Sequence, residues 1–215
     1  MDENLLQTQY DVTKKSRLKK FYESNKIIIF SIILIIVITI VGLGFYLQIK
    51  EKEKIILSEN YIKAKVYLEN GNKSKAVDTL KTIIFKNNST YSALSFFLIL
   101  NENLITDTKE LSNLFNHIIE NNKFEKEIKN LMIFKKALFE SNYVTETELL
   151  ESVKPLINTE TLWKPHALIL LGDYFASRNE YLKAKEFYIQ ILSLEDINRE
   201  LHDYARSQLI FIANE

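Results

Sequence analysis

The run that begins at Ile27 and ends at Ile49, IIIFSIILIIVITIVGLGFYLQI, constrains this chain more than any other stretch. It holds no charged residue, and Lys26 and Lys50 bracket it. A bilayer core of about 30 Å needs about 20 apolar residues in a helix. Isoleucine is a poor helix former in water, but in lipid a lone segment can satisfy its backbone only as a helix. Residues 27–49 are therefore expected to form a transmembrane helix. The run exceeds the roughly 7–15 apolar residues of a signal peptide, and no small-x-small site follows it, so a retained anchor is expected. Tyr46 suits the membrane interface. Thr39, Gly42 and Gly44 are small enough to admit a partner helix, although their spacing is not GxxxG.

Three segments follow from this anchor: a basic tail at residues 1–26, the span at 27–49, and a domain at 50–215. The tail carries Lys14, Lys15, Arg17, Lys19, Lys20 and Lys26. The other flank carries Lys50, Lys52 and Lys54, then Lys63 and Lys65. This excess predicts a cytoplasmic N-terminus and a periplasmic C-terminal domain. The KKSRLKK stretch either fixes topology alone or also touches anionic head groups. Residues 50–215 hold 22 basic and 24 acidic groups, without the basic excess that a phosphate backbone demands. There is no cysteine, which excludes disulfides and thiolate metal sites. Only four glycines and two prolines occur, too few for many strands and tight turns, so an all-α chain is expected. The abundance of Lys, Ile and Asn reads as genome base composition.

No helix breaker follows the span before Asn70 and Gly71, so the span is expected to continue, or nearly so, into the first helix of the domain. Ala64 and Tyr67 lie on one face of that helix, and Gly71 ends it in a turn. Residues 74–87 then carry the stripe Ala76, Val77, Leu80, Ile83 and Ile84, which closes a helical hairpin. Apolar periodicity places further helices at 89–100, from Asp107 to Asn121, and at 125–141. Thr145-x-x-Glu148 reads as a capping box, and Pro155 ends that helix soon after. Trp163 and Pro165 open another. Asn198 to Ile212 reads as a closing helix.

The last hairpin has the clearest pattern: Leu168-x-x-Leu171-Gly172-x-x-Phe175, then Tyr181-x-x-Ala184-x-x-x-Tyr188-x-x-x-Leu192. It resembles the tetratricopeptide (TPR) repeat. Gly172 and Ala184 are small where two helices cross, while Phe175, Tyr181 and Tyr188 fill the space around them. In the first hairpin Ala64, Tyr67, Ala76 and Leu80 take the parts of Gly172, Phe175, Ala184 and Tyr188. Stepping by the repeat length of about 34 residues lands on Leu98 and Met132, where small residues are missing, and Glu110 stands where Ala76 would recur. The expectation is two recognisable repeats at the ends, two degenerate ones between, and an all-α solenoid of about four hairpins with a C-terminal cap.

No catalytic constellation is present, and neither enzyme activity nor a cofactor is expected. His117 has Glu120 one turn on but no third ligand on its helix; His202 and Asp203 are adjacent but point differently; His166 has no acidic neighbour on its face. There is no Gly-rich phosphate loop and no Gly-x-Ser-x-Gly elbow. Trp163 is expected to pack on the preceding hairpin rather than hold a ligand. The acidic residues read as solvated helix faces. By analogy with TPR stacks, the first helix of each hairpin lines a groove, which selects residues 61–69, 92–101, 129–136 and 166–174.

A basic tail, a single span and a TPR-like domain directly after it resemble the ancillary SecYEG translocon subunit family. The span 27–49, the segment ENYIKAKVYLENGNKSKAVDTLKTII and the repeat from Leu168 to Leu192 carry the resemblance. It implies a bacterial inner-membrane protein whose periplasmic domain binds translocon subunits, a membrane-anchored periplasmic chaperone and emerging polypeptides. The alternatives are a coordinating factor in a cell-envelope or cell-division complex and a helical sensor domain.

Overall fold

The computed structural model describes residues 12–214, with side chains from residue 19. The expectations for residues 1–11 and for the side chains of Lys14, Lys15 and Arg17 lie outside the described residues. Among the described residues there are nine helices and no strand: α1 (Val12–Glu69), α2 (Lys73–Ile84), α3 (Ser89–Asn101), α4 (Thr108–Asn121), α5 (Lys126–Glu140), α6 (Glu146–Ile157), α7 (Lys164–Ala176), α8 (Tyr181–Leu192) and α9 (Arg199–Ile212). The chain divides into two compact units, one ending at Ile56 and one beginning at Leu57, and α1 is unbroken through that junction.

In the first unit, the large apolar side chains of residues 27–49 are exposed, apart from the half-buried Ile29, with Ile27 at 75% and Ile49 at 64%. An apolar patch of this extent is not left facing water. The helix is long and apolar enough to cross a membrane. Within it the Thr39 hydroxyl donates to the Ile35 carbonyl at 2.8 Å, so this polar side chain is satisfied by its own helix.

The second unit is set by its turns. Gly71, Asn103 and Asn179 have positive φ (74°, 47° and 60°). Each ends the first helix of a hairpin with the same closure, in which the following amide reaches back five residues: Asn72 to the Tyr67 carbonyl, Leu104 to Ile99, and Glu180 to Phe175, at 2.8 to 3.0 Å. Asparagine tolerates the left-handed conformation where glycine would otherwise be used. Asparagines also cap: Asn72, Asn88 and Asn198 accept the first free amides of α2, α3 and α9, as Asp107 does for α4. Several asparagines therefore have structural work, as caps or in turns that glycine would otherwise occupy.

The α5–α6 turn differs. Thr145 N–H and Oγ1 both donate to Glu148 Oε2 at 2.8 Å, and the Glu148 amide returns to Thr145 Oγ1 at 3.4 Å. These bonds hold the Glu148 carboxyl below its ordinary value. Pro155 sits inside α6, two residues before its end at Ile157.

Counted from the cap of each second helix, burial follows one rule. The residues four and eight after the cap are Ala76 and Leu80 in α2, Leu111 and Phe115 in α4, Leu149 and Val153 in α6, and Ala184 and Tyr188 in α8; all are at most 5% exposed. The residue eight before the cap is Ala64, Ala137 or Gly172 in three hairpins. This corrects the sequence register. Ala137, fully buried, holds the offset from its cap that Ala64 and Gly172 hold from theirs, where the fixed step from the sequence lands on Met132. Leu111, not Glu110, corresponds to Ala76. The cause is the spacing of the caps: from Asn72 to Asp107 is 35 residues, from Asp107 to Thr145 is 38 and from Thr145 to Glu180 is 35, so a fixed step of about 34 falls behind.

Two hydrophobic cores result. One gathers residues from Leu57 to Met132, with Phe96 and Phe115 edge to face at 4.2 Å; the other runs from Ala137 to Ile212. Helix α5 serves both. Ion pairs join successive second helices, Lys81 of α2 to Glu110 of α4 and Glu146 of α6 to Lys183 of α8 at 2.9 Å. Such exposed pairs orient more than they stabilise.

Candidate functional site

Most of the residues singled out from the sequence are buried or half-buried. Ala64, Ala76 and Leu80 are fully buried, Tyr67 is half-buried, and Gly71 is exposed in its turn. Leu168, Leu171, Phe175, Ala184 and Tyr188 are at most 1% exposed, Gly172 is buried, and Tyr181 and Leu192 are half-buried. At the α7–α8 crossing, a Cβ on Gly172 would come within 2.5 Å of Tyr188 Cε1 and within 2.9 Å of two further ring atoms. Glycine is required there by the ring itself.

The same ring anchors a polar cluster. Tyr188 donates its hydroxyl to Asp173 Oδ1 at 2.7 Å, and Tyr204 of α9 donates to the same carboxylate at 3.0 Å. Burial first, then the Asp173 carboxylate, pushes both phenols up, Tyr204 to about 12. One carboxylate thus ties α7, α8 and α9 together.

Beside this cluster lies a groove floored by α5, α7 and α9. Its apolar part is a cavity of about 260 Å³ lined by Phe134, Leu138, Ile169, Leu170 and Tyr204, among others. An adjoining cavity of about 800 Å³ shares His166, Glu200 and Leu201 with it and adds Glu127, Glu160, Pro165, Asp196 and Asn198. Five carboxylates and no Lys or Arg line the two.

The loop between α6 and α7 shapes the larger cavity. Thr161 Oγ1 and the Leu162 amide donate to Glu127 Oε2, at 2.8 and 3.3 Å, and Asn130 donates to Thr161 Oγ1 at 2.9 Å. Trp163 donates its indole N–H to the Glu127 carbonyl at 3.1 Å and stacks on Phe134, with centroids 5.7 Å apart. Trp163 thus packs on the preceding hairpin, and its ring adjoins the groove through Phe134 and His166.

Two of the four groove-lining segments read from the sequence contribute here: Phe134 from 129–136, and His166, Ile169, Leu170 and Asp173 from 166–174. In segment 92–101, Ser92, Ser95, Phe96 and Ile99 are buried in the core instead. Helix α9, expected only to cap, supplies Glu200, Leu201 and Tyr204. The acidic residues expected on scattered solvated faces are partly gathered at this one place, because residues distant in sequence meet across three helices and two loops.

Two histidines take other roles. His117 Nε2 bonds to Asn87 Oδ1 at 2.8 Å and its ring packs edge-on to Phe85. His202 and Asp203 do approach, with Nδ1 to Oδ1 at 3.6 Å, which corrects the expectation that they diverge. Among the described residues no three His, Asp or Glu side chains converge to hold a metal ion. Compared with protein-family models, curated proteins and solved structures, the chain matches none of them.

Proposed function

We propose that this chain is a membrane-anchored, TPR-like protein-binding scaffold, acting beside the Sec translocon in envelope protein export and working by binding rather than catalysis. In this reading residues 27–49 cross the inner membrane once, the N-terminus is cytoplasmic, and the helical domain is periplasmic. The observation that carries it is the groove between α5, α7 and α9, alternate helices of a hairpin stack, which is where such a stack receives a protein segment. The recurrent offsets of Ala64, Ala137 and Gly172 from the caps, and the ion pairs between successive second helices, support the repeat reading. The translocon assignment rests on the resemblance in overall layout alone.

Purification of the chain in mild detergent, with mass spectrometry of what accompanies it, tests the partner. Translocon subunits should co-purify. Clean recovery without them, with enrichment at the division septum, would favour the cell-division alternative. Protease added to spheroplasts should digest residues beyond the span; protection until lysis would place the domain in the cytoplasm.

A further inference from the structure

We infer that the α5–α7–α9 groove selects a cationic amphipathic segment of its protein partner, with an apolar side chain in the smaller cavity and Lys or Arg against the carboxylates of the larger one. The inference rests on the scaffold reading and adds the chemistry of what is bound.

The smaller cavity is built for an apolar anchor. Its walls are Phe134, Leu138, Ile169 and Leu170, and Leu138 stays 44% exposed with nothing of this chain over it. A buried anchor of this kind supplies most of the affinity in peptide recognition. The larger cavity sets the sign of what flanks the anchor. Glu127 is committed to Thr161 and Leu162, and Glu160 to Lys164 at 2.9 Å. Asp173 is committed to the two tyrosines. Asp196 and Glu200 are exposed on the lining and neither takes part in an ion pair among the described residues; Lys164, which borders a further cavity with Asp196, is already paired with Glu160. The second unit as a whole is nearly balanced in charge, so this concentration is local. An acidic segment would be repelled there and a cationic one drawn in. No three of these carboxylates converge as a metal site would require.

Trp163, the single tryptophan of the chain, adjoins the groove and reports on it. The test uses the full chain in phosphatidylcholine nanodiscs, with empty discs as the lipid baseline. The probe is a synthetic helical peptide of Leu and Lys, free of Trp and Tyr. Two counterparts carry Glu for Lys, or Ser for Leu. The Leu–Lys peptide should give a saturable shift of Trp163 emission that weakens as salt rises; neither counterpart should. Asp196→Lys with Glu200→Lys should weaken binding roughly tenfold, because exposed charges act mainly through steering and screening. Asp78→Lys with Glu186→Lys, exposed positions that line neither cavity, should leave it unchanged. Equal binding of the Glu peptide, no saturable shift with the Leu–Lys peptide, or indifference to the groove reversals would overturn the inference. Translocon subunits that still co-purify with the doubly reversed chain would leave the scaffold reading standing without this groove. A successful titration with failed co-purification would do the opposite.

Discussion

In the last hairpin Gly172 lies against the ring of Tyr188; in the first, Ala64 and Leu80 hold the same offsets from the cap and are both fully buried. Glycine goes with the larger tyrosine and alanine with the smaller leucine, so the two pairs are close in combined volume. Close packing demands this, since a core tolerates neither a void nor an extra methyl cheaply. The two hairpins also differ in what the large residue does. Leu80 only fills space, whereas Tyr188 fills space and hydrogen-bonds Asp173, which joins α9 to the hairpin through Tyr204. The last hairpin is therefore coupled to its neighbour by a polar bond that the first lacks at this position.

Removing the large residue should have the greatest effect. Tyr188→Ala should cost about 3–5 kcal/mol and Leu80→Ala about 2–5 kcal/mol, by loss of burial plus the cavity left behind. Unfolding of the full chain in detergent, followed by helical circular dichroism, measures both. A Tyr188→Ala cost below that of Leu80→Ala would sink the idea that the last crossing carries more.

Adding a methyl should come next. Alanine is favoured over glycine in a helix by about 1 kcal/mol. At Gly172, however, its Cβ would stand 2.5 Å from a fully buried ring, so Gly172→Ala should destabilise by about 1–3 kcal/mol. Combined with Tyr188→Leu, which recreates the pair of the first hairpin, the penalty for Gly172→Ala should vanish. A double-mutant cycle reads this coupling; additivity would show that the two crossings are not equivalent.

The caps should matter less. Thr145→Ala removes a capping box and Asn72→Ala a single cap, each at about 1 kcal/mol. Similar shifts of midpoint in the two hairpins are expected, with Thr145→Ala the larger because it frees Glu148 as well.

The smallest effect is on alkaline stability. Tyr204 ionises near 10 when unfolded and only at about 12 in the fold. Its contribution is complete below pH 10 and is lost as pH rises from there to about 12, because the unfolded chain releases the proton first. Tyr188 shifts the same way. Tyr204→Phe should flatten stability over that window, while the first hairpin should show no such dependence on Leu80. An unchanged alkaline slope in Tyr204→Phe would contradict the coupling through Asp173.

Much of the helical framework was legible from caps and breakers. Thr145 with Glu148, Asp107, Asn198, Trp163 with Pro165, and Gly71 each mark a boundary within a residue or two, because capping is decided by local hydrogen bonds. The register of the middle hairpins was not legible. A fixed period cannot anticipate the longer step of 38 residues from Asp107 to Thr145, and counting from each cap would have found Ala137 and Leu111. The groove was half legible. Phe134, Ile169 and Asp173 fall in segments chosen by analogy, whereas Glu200 and Leu201 were read as part of a closing helix. Whether a terminal helix only shields a core or also lines a groove depends on how α9 meets α5 and α7, which no local pattern encodes.

The central claim is that the groove of α5, α7 and α9 meets a protein of the export machinery. Site-directed photo-crosslinking in intact cells tests it most directly, with the probe at Leu201 in the groove or at Leu182, an apolar residue of α8 that is 83% exposed. Adducts with translocon subunits from Leu201, and none from Leu182, are predicted. Adducts from Leu182 alone, or no translocon adduct from Leu201, would contradict it.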